Sequence, residues 1–137
     1  MLVLSLLCTQ LMYSQQVLGK WVTFDDDSGK EKSIVEIYSN GGKIYGRVNK
    51  LLKEELKGAR CTKCDGSLKN QKVEGMVILE GLSKTGKKYS GGSITDPENG
   101  KTYDAKIWIE NDEPDTLYVS GYIAFFSRTQ EWTRLED

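Results

Sequence analysis

The 137-residue sequence has no histidine, two prolines and three cysteines. The absence of histidine excludes Ser-His-Asp and Cys-His catalysis, because each needs an imidazole as its general base. Three cysteines without histidine are also too few for a structural zinc site, which takes four such ligands. We therefore expect a protein that is not an enzyme and that has no catalytic residue, no metal and no cofactor.

An excess of charge of one sign is also lacking. Lysine and arginine number 19 against 20 aspartates and glutamates, so the formal net charge is -1. Proteins that bind nucleic acids normally carry a strongly basic surface, so this balance argues against a nucleic-acid partner. The three consecutive aspartates at 25–27 precede Ser-Gly and are interpreted as a solvated turn.

The opening segment lacks charged side chains altogether, since Lys20 is the first charged residue. Two apolar stretches, 2–7 and 11–13, precede polar residues that end at position 16. This pattern is typical of a signal peptide, and the stretches are too short for a membrane-spanning helix of about 20 apolar residues. We predict a signal peptide at 1–16, with its basic N-terminal part truncated, and a single domain at 17–137. The alternative is a first buried strand or helix.

The remaining sequence alternates between apolar and polar residues with the period of two that is typical of half-buried strands. Turn signals separate these segments, most clearly N-G-G at 40–42 and D-P-E-N-G at 96–100. About eight such segments without a long amphipathic helix predict an all-β fold, a small antiparallel barrel. The predicted strands are 20–24, 31–39, 43–51, 74–82, 89–96, 101–110, 116–126 and 129–135.

Tyrosines and other large side chains are spread over these strands. At inward positions they would line the barrel interior, and an interior that is not filled forms a pocket for a small apolar ligand. The candidate lining residues are Tyr103, Ile107, Tyr118 and Tyr122. The alternative is a fully packed core.

Two cysteines remain once the signal peptide is removed, Cys61 and Cys64 in the long polar connection at 52–71. An even pair in an exported protein is a candidate disulfide. A C-x-x-C redox site normally begins a helix in a βαβ unit, whereas this pair lies between β segments. We predict a short disulfide that stiffens the connection, with thiol-redox chemistry as an alternative.

Five sequence blocks together resemble a bacterial domain of unknown function, number 2147. They are G-K-W at 19–21, I-Y-G-R-V at 44–48, D-P-E-N-G-K-T-Y-D-A-K at 96–106, L-Y-V-S-G-Y at 117–122 and R-T-Q-E-W-T-R at 128–134. The resemblance covers about residues 19–135. It implies an exported bacterial protein and supplies no activity.

The segment from Gly19 to Trp21 also resembles the Gly-x-Trp that opens the first barrel strand of lipocalins. In that group a late arginine packs across the tryptophan. The resemblance implies a lipocalin-like barrel closed by a structural pair, Trp21 and Arg134, through cation–π contact. The alternative is that Trp21 is an ordinary core aromatic residue.

Together these observations predict a non-enzymatic exported protein, secreted or periplasmic, that binds a small apolar ligand or an envelope protein. It does not span a membrane once mature. One alternative is a structural or protein-interaction module of the cell envelope. The other is a thiol-redox protein that uses Cys61 and Cys64.

Overall fold

The computed structural model describes residues 16–136, so the predicted signal peptide lies outside the described residues except for Gln16. Eight antiparallel strands follow one another around a closed barrel, and the last strand pairs with the first. This confirms the predicted all-β, eight-stranded antiparallel barrel. The strands are β1 (Gly19–Phe24), β2 (Glu31–Asn40), β3 (Lys43–Leu51), β4 (Val77–Thr85), β5 (Lys88–Thr95), β6 (Thr102–Trp108), β7 (Thr116–Ile123) and β8 (Phe126–Arg134).

The barrel has two different ends, because consecutive strands run in opposite directions. The turns β2–β3, β4–β5 and β6–β7 lie at what we call the closed end, together with residues 16–18. The turns β1–β2, β5–β6 and β7–β8 lie at the open end with the β3–β4 connection, which contains the single-turn 3₁₀ helices Glu54–Leu56 and Gly66–Leu68. The large side chains that are 0% exposed include Trp21, Ile107 and Leu117, which fill the barrel toward the closed end.

Trp21 and Arg134 lie together at the closed end. The Arg134 guanidinium carbon is 4.4 Å from the centre of the Trp21 ring. The indole Nε1 donates a hydrogen bond to the Val17 carbonyl at 2.9 Å. Arg134 Nη2 donates to the carbonyls of Gln16 and Pro114, each at 2.9 Å. The contacts of the folded domain therefore include Gln16, one residue before the predicted domain start.

The seam between the first and last strands is short. Among residues 16–136, β1 and β8 are paired only through Trp21 with Arg134 and Val22 with Thr133. The seam therefore occupies the closed-end half of the barrel, and the part of β8 nearer the open end runs alongside β7 alone.

The largest differences from the predicted strand bounds are at β4 and at the β7–β8 turn. Strand β4 begins at Val77 rather than 74, because Gly75 takes a φ of 97° and its N–H bonds to the Val48 carbonyl at 2.7 Å. The β7–β8 turn lies at Ala124 and Phe125 rather than at 127–128. Ala124 has a φ of 53°, in a region that is uncommon for residues other than glycine.

Candidate functional site

A cavity of about 570 Å³ extends from the packed closed end to the open end of the barrel. This volume lies within the range of about 300–1,000 Å³ that is common for small-molecule sites. Apolar and polar residues contribute about equally to the lining of the cavity. The apolar ones come from inward positions, which alternate along each strand. Its apolar residues include Val48, Ile78, Ile94, Val119 and Trp132.

Several hydroxyl groups in or beside the wall are paired with each other. Thr23 Oγ1 and Ser33 Oγ lie 2.7 Å apart on β1 and β2, and both side chains are buried. Thr95 and Thr102 form a second such pair at 2.8 Å. Among the described residues, every buried polar side-chain atom has a hydrogen-bond partner. Since these hydroxyl groups are already satisfied, they offer a ligand little further hydrogen bonding.

Ion pairs surround the mouth of the cavity. Asp25 binds Lys53 at 2.6 Å and joins the β1–β2 turn to the β3–β4 connection. Asp26 pairs with Arg128 of β8 and also accepts hydrogen bonds from Gln130 Nε2, at 3.2 Å to each carboxylate oxygen. Asp26 therefore bridges β1 and β8 at the end where their backbones are not paired.

A third ion pair joins Lys32 to Glu98. Lys32 lies at the open end of β2, whereas Glu98 lies in the β5–β6 turn, and two further strands separate β2 from β5. The pair therefore reaches across the mouth and does not join two neighbouring strands of the rim. A ligand that enters the cavity must pass beside this pair or displace it.

The ion pair of Asp25 alters the protonation of both partners. The hydrogen bond from Lys53, together with the backbone N–H groups of Ser28 and Asp27, holds the pKa of the Asp25 carboxyl far below its usual range. The same hydrogen bond raises the pKa of Lys53. Both groups are therefore charged at neutral pH, and the pair is a fixed part of the rim.

Cys61 and Cys64 form a disulfide, with Cα atoms 5.3 Å apart. Their side chains are 0% and 1% exposed. Backbone hydrogen bonds of 2.8 Å join Cys61 to Gln71 and Asn70, so the pair anchors both sides of its loop. Sγ of Cys61 also lies 3.4 Å from the Pro97 carbonyl oxygen, in the β5–β6 turn.

Gly100 explains how closely this loop approaches the β5–β6 turn. Its φ is 75°, and a Cβ placed there would lie 2.0 Å from the Lys63 carbonyl oxygen and 2.8 Å from the Cys64 nitrogen. Only glycine fits such a position without movement of the backbone. The sequence indicates the turn, but nothing in it indicates this contact with the disulfide loop.

Of the four predicted lining residues, Tyr103 lines the cavity. Ile107 does not, because it is completely buried in the core below the cavity floor. Ile107 does lie on the inward face of β6, as the alternation of apolar and polar residues along that strand predicts. The core, rather than the cavity, occupies the barrel at that depth.

The prediction that Tyr118 and Tyr122 line the cavity is wrong. Both lie on the outer face of β7, because Leu117 and Val119 take the buried positions of that strand. The Tyr118 hydroxyl donates a hydrogen bond to the Glu113 carboxylate, which raises the pKa of Tyr118 to about 12. The Tyr118 ring also stacks on Trp108, and the Tyr122 ring contacts the Lys106 ammonium at 5.7 Å.

Within residues 16–136, no group of three or more Asp, Glu, Cys or His side chains is placed to hold a metal ion. The same part of the chain contains no helix long and apolar enough to cross a membrane.

The fold is that of a lipocalin-type barrel. It matches the solved structure of protein HP1028 from the human pathogen Helicobacter pylori, which belongs to the lipocalin family, with a TM-score of 0.74 and 24% sequence identity. The match covers 88% of this chain and 83% of that one.

A comparison of the sequence with models of protein families assigns the chain to a family. A family model described as an uncharacterized protein conserved in bacteria, DUF2147, matches residues 19–134, and the chain belongs to this family. Both resemblances seen in the sequence are thereby confirmed. No curated protein is similar enough in sequence to match the chain.

Proposed function

We propose that this protein binds a small, mainly apolar ligand inside the barrel, without chemical turnover, in an oxidising compartment outside the cytoplasm. The observation that carries the proposal is the cavity of about 570 Å³, which has apolar side chains on its wall and an opening at one end. Burial of apolar surface provides the affinity. The charged rim accommodates a polar group of the ligand near water. The Cys61–Cys64 disulfide supports export, because such bonds persist in oxidising compartments.

The alternatives receive different support. A thiol-redox role needs a sulfur that a partner thiol can reach, and both sulfurs belong to buried side chains. An interaction role is favoured by the exposed apolar residues of the β7–β8 turn. That surface borders the cavity mouth, so the interaction role adds to ligand binding and does not replace it.

The test is a titration with N-phenyl-1-naphthylamine, an uncharged dye whose fluorescence rises in apolar surroundings. The variant Val119→Phe places additional carbon atoms in the cavity, since Val119 lines it. Its neighbour Ser120 points to the outer face of the same strand, so Ser120→Phe is the matched control. We expect the wild type and Ser120→Phe to bind the dye with similar Kd, and Val119→Phe to bind at least about tenfold more weakly.

A wild type that fails to enhance dye fluorescence would overturn the proposal. Equal effects of the two substitutions would also overturn it, because the dye would then bind outside the barrel. Thermal unfolding of both variants establishes that each retains the fold. Mass spectrometry of organic extracts from protein isolated out of its native membrane fraction then identifies the ligand.

A further inference from the structure

The turn between β7 and β8 exposes the side chains that a soluble domain normally buries. Ile123 is 53% exposed, Phe125 is 105% exposed and Phe126 is 57% exposed. Among residues 16–136 these are the only large hydrophobic side chains that are exposed. We call residues 123–126 the apolar tip. A cluster of such side chains on a protruding turn indicates a contact surface rather than chance exposure.

The loop that contains the disulfide is strongly basic, although the chain as a whole has a net charge of -1. Residues 57–72, the Cys loop, contain five basic residues and one acidic residue, a formal charge of +4. All five basic residues are exposed. They are Lys57, Arg60, Lys63, Lys69 and Lys72.

Most of this charge is available to a partner. Lys57 pairs with Glu54 at 3.1 Å, and Arg60 donates to the Asn70 carbonyl at 3.0 Å. The other three lysines of the loop have no carboxylate within ion-pair distance in the described part of the chain. The single acidic side chain of the loop is that of Asp65.

The apolar tip and the Cys loop line the same surface groove. Cys64, Asp65 and Leu68 of the loop and Ile123 and Phe126 of the tip contribute to it, together with Thr95 and residues 100–103. Phe126 also lines the main cavity. The basic loop, the apolar tip and the cavity mouth therefore occupy one continuous region at the open end.

Among the described residues, the acidic side chains at the same end form no ion pair with Lys63, Lys69 or Lys72. Three of them are held by cations outside the Cys loop: Asp25 by Lys53, Asp26 by Arg128 and Glu98 by Lys32. Further carboxylates at this end belong to Asp27, Glu31 and Asp96 at the β1–β2 and β5–β6 turns and to Glu54, Glu55 and Glu74 in the β3–β4 connection. Since none of them pairs with Lys63, Lys69 or Lys72, these exposed lysines can contact an anionic partner beside the tip.

We propose that the open end of the barrel docks on an anionic lipid bilayer, with the apolar tip inserted among the headgroups and the lysines of the Cys loop contacting lipid phosphates. A convex tip of three large apolar side chains suits a bilayer, which deforms around it. A stable protein interface needs about 800 Å² from each partner, and a two-residue turn provides little of that area. Basic side chains beside an apolar insertion are the combination that anionic membranes attract.

The test is co-sedimentation of the full chain with lipid vesicles. One set contains only phosphatidylcholine, and the other contains phosphatidylcholine and phosphatidylglycerol in a two-to-one ratio. We expect binding to the anionic vesicles that weakens as salt is added, because salt screens exposed charges. Phe125→Ser should weaken this binding at least about tenfold, since the burial of one phenylalanine is lost.

The lysines are tested with two matched pairs of substitutions. Lys69→Gln with Lys72→Gln removes two charges from the Cys loop, and we expect a loss of about fivefold for each lysine. Lys84→Gln with Lys87→Gln makes the same charge change at the β4–β5 turn of the closed end and should leave binding unchanged. Residues 1–15 are the same in every variant, so any effect they have cancels in these comparisons.

The proposal is overturned if no vesicle binds, if neutral and anionic vesicles bind equally, or if both lysine pairs have the same effect. Self-association that Phe125→Ser abolishes, seen by analytical ultracentrifugation without lipid, would assign the tip to a second copy and would also overturn it. The assay contains no ligand probe, so its outcome is independent of the dye titration. A protein that binds dye but not vesicles retains the proposed ligand function and loses only the docking surface.

Discussion

The two ends of the barrel are built from the same eight strands but depend on different interactions. At the closed end, Trp21 and Leu117 are fully buried, and apolar packing fills the space between the strands. At the open end, a cavity occupies the barrel interior, buried residues such as Val73 and Met76 remain in the β3–β4 connection, and three ion pairs and a disulfide loop hold the rim. The proposed binding site therefore lies at the end of the barrel that is less completely packed.

One turn glycine from each end shows the same difference on a smaller scale. Gly41, in the β2–β3 turn of the closed end, has a φ of 62° and no atom within 4 Å of the position of a Cβ. Gly100 at the open end has a similar φ but contacts the backbone of the Cys loop. A closed-end turn thus needs glycine only for its conformation, whereas the open-end turn also needs it for close packing.

The largest effect should come from equivalent truncations at the two ends. Leu117→Ala leaves a void in the packed core and should lower the free energy of unfolding by about 3–5 kcal/mol. Leu51→Ala enlarges an existing cavity and should cost about 2 kcal/mol, mainly the lost transfer energy of the side chain. Urea unfolding measures both values. Equal losses of unfolding free energy in the two variants would indicate that the open end is packed as tightly as the closed end.

The next largest effect should come from the two glycines. Gly41→Ala should cost about 1 kcal/mol, because alanine is strained at positive φ. Gly100→Ala carries the same strain and forces the Cys loop away from the β5–β6 turn, which adds about 1–3 kcal/mol. The midpoint temperature of thermal unfolding, compared with that of the wild type, measures the destabilisation of each variant. A similar shift for the two variants would show that the contact between loop and turn contributes little.

The smallest effect should be the pH dependence of the stability that the rim ion pair between Asp25 and Lys53 provides. Because the pKa of Asp25 is depressed in the folded protein, its ion pair stabilises the fold above the unfolded pKa of about 4 and loses that effect as acid protonates it. Asp25→Asn should therefore be less stable than the wild type at neutral pH, with a difference that is constant above about pH 5 and narrows below about pH 4.

Urea unfolding at a series of pH values measures this difference. Lys53→Gln removes the same pair from the other side, so its difference from the wild type should also narrow in acid. A gap that stays constant down to about pH 2 would assign the loss to packing instead of charge.

The strands could be predicted because their residues alternate. Tyr103, Ala105 and Ile107 share one face of β6, and all three lie on the inward side as expected. The β7–β8 turn could not be predicted, because Ala124 and Phe125 are not typical turn residues. The sequence of the apolar tip therefore predicts a continuation of strand β7 and gives no sign that these side chains are exposed.

The cavity was only partly predictable for a related reason. Both faces of β7 carry large apolar residues, since Leu117 and Val119 alternate with Tyr118 and Tyr122. A period of two identifies the two faces but not which one is inside. The rim ion pair of Lys32 with Glu98 joins residues far apart in sequence, and only the closed barrel brings them together.

The seam between β1 and β8 has a consequence for how the chain folds. Its two residue pairs connect opposite ends of the sequence, so closure must overcome the entropy of almost the whole chain. Until then both edge strands can pair with another molecule, and aggregation competes with folding at high protein concentration. Since Gln16 and Arg134 are in contact at this seam, a peptide link between residues 136 and 16 in a circularised barrel domain would make closure a local event and speed folding.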